Sequence, residues 1–331
     1  MARKTVDAPQ LITERPRAKS RANFRIAVLL PCYNEEQTVA STITSFKKAL
    51  PRANVYVYDN NSEDRTSEMA REAGAIVCSE DRRGKGYVVR RMFADIDADV
   101  YVLADGDNTY HAPSVVYLVD KLANEKLDMV VGSRASTADP RAYRRGHQLG
   151  NRMLTAFVTW IFGSGFRDIL SGYRVFSRRF VKSFPSLSSG FEIEIELSVH
   201  ALHLAMPVAE FETSYSARPE GSASKLSTYY DGFKILRTIL VLFRAERPLL
   251  FFGLTAAMLF FISCVLAAPI FIEYSHTGLV PRFPTAILSA SIMVLAFLNL
   301  VCGLILDTVS HGRREIKRLF YLQLEPVQRQ A

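Results

Sequence analysis

Two long stretches without a charged residue most constrain what this chain can fold into. No Asp, Glu, Lys or Arg occurs between Arg247 and Glu273, or between Arg282 and Asp307. Each stretch exceeds the ~20 residues that a helix needs to cross ~30 Å of hydrocarbon. We therefore expect a two-helix transmembrane hairpin at 248–306, rather than two buried helices of a soluble core.

The placement of charge predicts how that hairpin is oriented. The chain carries 41 Lys+Arg against 33 Asp+Glu, and basic residues lie outside both far ends of the hairpin, whereas Arg282 is the basic residue of the short connection. Positive residues collect on the cytoplasmic side of membrane proteins, so both termini, including a basic tail at 307–331, are expected in the cytoplasm. Basic residues beside apolar spans favour anionic lipid over nucleic acid as a partner.

Two further segments are expected near the membrane surface. Residues 1–24 form a basic tail without the apolar core of a secretory signal. Residues 219–247 include apolar residues at helical spacing with a basic flank, namely Leu226, Tyr229, Tyr230, Phe233, Leu236, Leu240 and Phe243. That pattern fits an ordinary core-facing helix too, but its position directly before a span favours an interfacial amphipathic helix. The apolar stretch 149–162 is expected nearby.

From residue 25 onward, short β-branched stretches alternate with helical ones, which predicts an α/β fold built from βαβ units. The expected strands are Ile26 to Leu30, Val55 to Asp59, Ala75 to Cys78, Val100 to Ala104 and Met129 to Gly132. Asn34 followed by Gln37 predicts a capping box that opens a helix reaching to about Leu50. The carboxyl ends of parallel strands share one edge, so the polar residues that follow them should converge there.

The triplet Asp105-Gly106-Asp107 follows one of these strands. Two carboxylates at a strand end can present oxygens to a hard cation, and the cation can in turn hold a diphosphate. Taken alone, the triplet more often marks a plain turn.

Several motifs occur together in a characteristic order. They are Pro31 to Glu36, Asp59 to Asp64, Gly84-Lys85-Gly86, Asp105 to Asp107, Gly132-Ser133-Arg134, Asp168 with Ser171 to Arg174, and Ser222 to Leu226. In this order the chain resembles family-2 glycosyltransferases with the Rossmann-like GT-A fold, specifically the polyisoprenyl-phosphate glycosyltransferases related to dolichol-phosphate mannose synthase. The resemblance implies a GT-A nucleotide-sugar domain at 25–218 and extends to the C-terminal hairpin of bacterial members, hence an inner-membrane location.

The resemblance also implies roles for individual residues. The nucleotide sugar would be bound by Pro31, Tyr33, Asn34, Glu35, Asp59, Asn61, Lys85, Asp105 and Gly106. Asp105 and Asp107 would hold Mg²⁺ or Mn²⁺ and, with Arg134, form the catalytic set. The acceptor phosphate would contact Arg134, Arg152, Ser222 and Lys225.

Alternatives stay open for several of these residues. Glu35 also fits a first-turn helix acid, Asp59 a turn residue and Lys85 a solvated turn lysine. Asp168 and Arg174 would either touch substrate or form a structural ion pair. Some relatives carry a third metal-side ligand, often glutamine, where this chain has Thr109.

The implied reaction is inverting transfer of a sugar from a nucleoside diphosphate, uridine or, as in GDP-mannose enzymes, guanosine, to polyprenyl phosphate. A processive polysaccharide synthase is the first rival, but Val158 and Thr159 stand before Trp160 where its Q-x-x-R-W motif needs other residues. A non-catalytic membrane scaffold would predict loss of the carboxylates. The sequence leaves open whether the protein forms a homo-oligomer.

Overall fold

The computed structural model describes residues 24–134, 153, 155–160, 166–185, 192–215, 237 and 240–327. It divides into two compact units. The first comprises Met1–Gly232 with Lys317–Ala331, and the second Phe233–Ile316.

The first unit is built on a seven-stranded sheet. Its strands are β1 (Ile26–Cys32), β2 (Asn54–Asp59), β3 (Ile76–Ser79), β4 (Val100–Leu103), β5 (Met129–Arg134), β6 (Arg174–Ser177) and β7 (Val208–Thr213). They lie in the order β3-β2-β1-β4-β6-β5-β7, with β1, β2, β3 and β4 parallel to one another. This confirms the five predicted strands and the α/β class.

Strand β6 was not predicted, and it makes the sheet mixed rather than wholly parallel. It inserts antiparallel between β4 and β5, pairing Val102 with Val175 and Val130 with Val175. Its sequence begins with Arg174 and ends with Ser177, so it does not read as an apolar strand. The fold tolerates Arg174 there because hydrogen bonds satisfy its buried guanidinium, as described below.

Helices cover both faces of the sheet. They are α1 (Val39–Ala49), α2 (Thr66–Glu72), α3 (Lys85–Asp95), α4 (Val115–Asn124), α5 (Arg178–Ser183) and α6 (Ile193–His203). One core lies between the sheet and α3, α5 and α6, and includes Leu29, Met92 and Phe180. The other includes Leu30 and Ile43 and is covered by α1 and α4. Because successive strand residues face opposite sides, strands buried on both faces read as continuous apolar runs.

The predicted capping box at Asn34 is wrong. Helix α1 begins at Val39 with Thr38 at its N-cap, and Asn34 has a left-handed backbone with φ of 51°. The Asn34 carboxamide oxygen instead accepts a hydrogen bond from the backbone N–H of Glu63, 2.8 Å away. The side chain therefore joins two loops rather than capping a helix, a pairing that local sequence spacing does not reveal.

The second unit contains two helices long and apolar enough to cross a membrane, α7 (Pro248–Thr277) and α8 (Phe283–Leu322). Gly278, with φ of +67°, ends α7 in a left-handed turn that glycine adopts without strain. Only 11% and 17% of the most apolar windows of the two helices are buried, which is typical of lipid-facing helices.

Small residues let these two helices approach closely. A Cβ on Gly303 would lie 3.1 Å from the Cβ of Phe252, and the Ser263 hydroxyl donates to the Ser289 carbonyl over 2.7 Å. Small residues and interhelical hydrogen bonds are the usual means of association for membrane helices, where burial of apolar surface supplies little driving force.

Helix α8 extends well beyond the predicted hairpin. The structure is helical through Leu322, so α8 continues into the segment expected as a basic tail. The last turn of α8 belongs to the first unit, where the Tyr321 hydroxyl donates to Asp128 over 2.6 Å and Arg179 holds the same carboxylate through two contacts of 2.6 and 2.7 Å. Asp128 is almost completely buried, and this network satisfies its charge.

Candidate active site at the strand ends

The loops after β1 and β2 are joined by a chain of hydrogen bonds. Asp59, the last residue of β2, accepts from the Ser62 hydroxyl, and that hydroxyl accepts from the backbone N–H of Asn34 over 2.9 Å. Asn34 and Asn61 both have positive φ, 51° and 61°, in the region that asparagine tolerates better than most residues. The structure therefore brings Asn34 and Asp59 together at one sheet edge, as predicted, and Asn61 lies on the same loop as Ser62.

Glu35 and Thr38 connect this pair of loops to the Asp-Gly-Asp triplet. The Glu35 backbone N–H donates to Thr66 over 2.7 Å, and its carboxylate accepts from the Thr38 hydroxyl over 3.2 Å. That hydroxyl also lies 2.9 Å from the carbonyl of Gly106, to which it donates. A Cβ on Gly106 would lie only 2.5 Å from the sulfur of Cys32, so this close approach requires glycine.

Pro31 and Tyr33 lie on the same loop edge. Pro31 pairs with Tyr58 near the end of β1, and the guanidinium of Arg83 lies 5.3 Å from the centre of the Tyr33 ring. Arg83 in turn forms an ion pair of 2.6 Å with Glu63. An aromatic ring fixed beside an arginine offers a stacking surface to a planar base.

Asn60 orders the loop that leads into α3. Its side chain donates to the carbonyls of Glu80 and Arg82 over 2.9 and 2.7 Å and accepts from the backbone N–H of Gly84 over 2.7 Å. Lys85 follows as the first residue of α3. The amide of Asn60 thus sets the position of the lysine, a role that its motif alone did not show.

Lys85 is buried between two carboxylates, so a solvated turn lysine is excluded. Its ammonium lies 2.5 Å from Asp105 Oδ1 and 2.6 Å from Glu194 Oε1, and only 9% of its side chain is exposed. Burial lowers the pKa of Lys85, but the charges of Asp105 and Glu194 raise it by a larger amount. The net pKa therefore lies above the usual value. The lysine is a fixed positive charge.

Glu194 is a member of this cluster that the sequence did not reveal. It lies in the first turn of α6 and is 4% exposed. It belongs to none of the motifs, and the only signal is a charged residue between two isoleucines in an otherwise buried helix.

The two aspartates of the triplet differ in exposure. The side chain of Asp105 is 31% exposed, whereas Asp107 is buried and accepts from the Thr109 hydroxyl over 2.6 Å. Thr109 thus orients Asp107. A Cβ on Gly172 would lie 2.9 Å from Asp105 Oδ2 and 3.1 Å from the Lys85 ammonium, so both groups pack closely against this glycine and a larger residue would displace them.

The donor set at this point fits a hard divalent cation. Within the described parts of the chain, no group of three or more His, Cys, Asp or Glu is arranged to hold a metal ion. Mg²⁺ and Mn²⁺ are commonly held by one or two carboxylates, with phosphate and water oxygens completing the coordination shell. Asp105 and Asp107 offer that partial set at the end of β4.

Arg134 lies at the end of β5 and forms a two-point ion pair with Asp168. Its Nε and Nη2 donate to the two carboxylate oxygens, each over 2.7 Å, and its guanidinium lies 5.7 Å from the centre of the Tyr215 ring. The backbone N–H of Arg134 donates to the same carboxylate over 3.2 Å. Asp168 therefore fixes the orientation of the arginine.

Arg174 has a structural role in the adjacent turn. Its guanidinium donates to the carbonyls of Ile169 and Ser171 and to the Ser198 hydroxyl, and the residue is fully buried. Burial lowers the pKa of Arg174 to about 10, which still leaves it charged at neutral pH. The bidentate partner of Asp168 is Arg134, a pairing that the sequence alone did not indicate.

The other acceptor residues, Arg152, Ser222 and Lys225, lie outside the described residues, as does most of the segment 219–247. Residues 155–160 of the apolar stretch are helical, and Trp160 there is 60% exposed.

Comparison with known proteins assigns the fold and the site to a family. Residues 27–183 match the model for "Glycosyl transferase family 2". The glycosyltransferase AglJ of Haloferax volcanii is 36% identical over 229 residues, covering 69% of this chain and 75% of the relative. The chain belongs to glycosyl transferase family 2.

Two further proteins are similar to this chain. A dolichyl-phosphate hexose transferase of Haloferax volcanii is 27% identical over 223 residues, covering 67% of this chain and 95% of the relative. Glucosyl-3-phosphoglycerate synthase of Mycobacterium tuberculosis, crystallised with Mn²⁺, UDP and phosphoglyceric acid, superimposes with a TM-score of 0.55 at 26% identity, covering 67% of this chain and 78% of that structure. These matches confirm the family and the GT-A fold expected from the motifs.

Proposed function

We propose that this family 2 glycosyltransferase transfers a hexose from a UDP-sugar to polyprenyl phosphate, with inversion at the anomeric carbon, at the cytoplasmic face of the membrane. One observation carries the proposal. The buried ammonium of Lys85 lies between two carboxylates in a glycosyltransferase site, and the same chain has two helices apolar enough to cross a membrane.

The donor end of the proposal rests on the joined loops after β1, β2 and β4. Asp59 and Glu35 have carboxylates suited to accept from ribose hydroxyls and base N–H groups. Tyr33, fixed beside Arg83, suits stacking on the base. Support for uridine comes from the structural relative crystallised with UDP.

The diphosphate would lie over Gly172, next to Lys85 and Asp105. A cation bound by Asp105 and Asp107 would neutralise charge as the diphosphate leaves. Lys85 contributes a second positive charge beside the diphosphate.

The acceptor end rests on the membrane helices and Arg134. A phosphate monoester with a second pKa of ~6 is largely dianionic at neutral pH, so it is already a nucleophile without a strong general base. What it needs is orientation, and guanidinium is a planar fork suited to phosphate oxygens. Asp168 holds that fork at the end of β5.

The test is a donor screen with the full-length protein in detergent or nanodiscs. UDP-hexoses and GDP-mannose are each supplied with Mn²⁺ and a short polyprenyl phosphate, and release of the nucleoside diphosphate is measured. We expect release with a UDP-sugar that depends on the lipid phosphate and is lost in Asp107→Asn. Release from GDP-mannose alone would overturn the uridine assignment, and release from neither donor would overturn the reaction.

A further inference from the structure

The carboxylate of Glu194 has one oxygen in use and one without a partner. Oε1 pairs with the Lys85 ammonium over 2.6 Å. Oε2 is buried and accepts no hydrogen bond from any residue that the structure describes. A buried carboxylate oxygen without a donor costs free energy, so its retention here calls for an explanation.

Lys85 pairs with two carboxylates, and these differ in their exposure to solvent. Glu194 is 4% exposed, whereas the Asp105 side chain is 31% exposed and packs beside Gly172. In the structure the ammonium bridges the two. As long as it does, a positive charge already occupies one oxygen of Asp105.

A divalent cation on Asp105 would compete with that ammonium for the same carboxylate. Two positive charges a few ångströms apart repel each other, so cation binding favours withdrawal of Lys85 toward Glu194. The unpartnered Oε2 is an acceptor of the kind that a withdrawn ammonium needs, since Lys has three donors.

We propose that Glu194 is a positioning residue that retains Lys85 when a divalent cation takes Asp105. Glu194 touches neither donor nor acceptor in this arrangement and acts through Lys85 alone. The inference rests on the proposed function, since it assumes that Asp105 binds a cation together with a nucleoside diphosphate.

Removing the charge of Glu194 tests whether Lys85 moves from Asp105 to Glu194 when a cation binds. In Glu194→Gln the carboxamide keeps the size of the side chain but loses its charge, so of the two carboxylates only Asp105 still pairs with Lys85. The cation must then displace a more tightly held ammonium. We expect the apparent affinity for Mn²⁺ in the presence of UDP to fall by about tenfold.

If Glu194 acted only as a nearby negative charge, Glu194→Gln would weaken cation binding equally with and without Lys85, and a double-mutant cycle separates that case from the proposal. With Lys85→Gln as background, Glu194→Gln should change Mn²⁺ affinity less than twofold, because the competing ammonium is gone. Glu125→Gln is a matched control, since it breaks another Glu–Lys pair of 2.6 Å on a distant helix. We expect wild-type Mn²⁺ binding in that control.

The measurement is Mn²⁺ binding to the full-length protein with UDP, followed by the free Mn²⁺ signal in electron paramagnetic resonance. An equal loss of Mn²⁺ affinity in the wild-type and Lys85→Gln backgrounds would overturn the proposal, as would wild-type affinity in Glu194→Gln. If Glu194→Gln does not fold alone, Mn²⁺ binding without UDP is compared between Lys85→Gln and wild type, because Lys85 also contacts the diphosphate in the proposed reaction. Lys85→Gln should then bind Mn²⁺ more tightly, and weaker binding would contradict the competition.

Failure of the proposed sugar transfer can be distinguished from failure of the role proposed for Glu194. If the protein transfers no sugar but shows this Mn²⁺ and UDP behaviour, the proposed reaction fails and the role of Glu194 stands. If it transfers sugar and Glu194→Gln binds Mn²⁺ as wild type does, the role of Glu194 fails alone.

Discussion

Replacing Arg134 by lysine tests the acceptor end of the account. The side chain makes two parallel contacts of 2.7 Å with Asp168, and these fix its plane at the end of β5. Lysine keeps the charge but is a single point of positive charge without a fork. It can therefore neither form the two-point pair with Asp168 nor present two donors to a phosphate.

The size of the effect follows from the hydrogen bonds that lysine cannot form. A hydrogen bond between charged groups contributes about 1.5 to 3 kcal/mol. Removing one such bond to the acceptor in the transition state lowers kcat/KM for polyprenyl phosphate by about ten- to a hundredfold. The Arg134–Asp168 pair is 19% and 9% exposed, so the free energy of unfolding should also fall, by about 1 to 2 kcal/mol.

The assay varies one substrate at a time in Arg134→Lys and compares the two Michaelis constants. We expect KM for the nucleotide sugar to stay within a few-fold of wild type while use of the lipid phosphate is weakened. Arg178→Lys is the control, because Arg178 forms another Arg–Asp pair, with Asp97, that is far more exposed. A large rise in KM for the donor with unchanged acceptor dependence would assign Arg134 to the diphosphate and refute the reasoning.

Three further predictions concern the cation, the pH response and the topology. Asp107→Asn should abolish transfer and leave the thermal midpoint near wild type, because a carboxamide lacks the charge that holds a divalent cation; wild-type rates in chelator-treated enzyme would contradict this. Burial, with Lys317 and His203 adding to it, lowers the pKa of His200 to about 3 from its ordinary 6.5. The unfolded chain thus binds a proton below pH ~6.5 that the folded protein refuses, so stability falls as pH drops through that window, by about 1.4 kcal/mol per unit. The thermal midpoint of His200→Gln should fall less steeply over this range, and an unchanged slope would refute the assignment. A cysteine placed at Thr277, with the four native cysteines replaced, should react with an impermeant thiol reagent on right-side-out vesicles; protection there and reaction on inverted vesicles would reverse the proposed orientation.

The parts of the fold that sequence reasoning found are those in which a local pattern has one physical meaning. Continuous apolar strands such as Val100–Leu103 mark a sheet covered on both faces, and polar residues following them mark its carboxyl edge. The two uncharged stretches correspond to the two longest helices. In each case the apolar composition of a single segment is enough to predict the structure that it forms.

The parts that it missed depend on partners distant in sequence. Arg174 can lie in a central strand because two carbonyls of the preceding turn and, from α6, the Ser198 hydroxyl accept from it. Glu194 becomes part of the site only because α6 brings it to Lys85, more than a hundred residues earlier. No spacing rule within a motif connects such residues.

The same reason explains the errors at helix ends. Asn34 has the residue type of an N-cap, yet its carboxamide is engaged by Glu63. The last turn of α8 looks like a solvated basic tail in sequence, but Tyr321 there is 4% exposed and bonded to Asp128. Tertiary contacts decided both ends against the local signal.

The central claim is that the sugar acceptor is a lipid phosphate, and product mass tests it most directly. Purified protein in nanodiscs is supplied with Mn²⁺, the donor found active, and either a polyprenyl phosphate or the matching polyprenol, and the lipid extract is analysed by mass spectrometry. The account predicts one added hexosyl unit on polyprenyl phosphate and none on polyprenol. Equal glycosylation of both lipids, or of the alcohol alone, would contradict it.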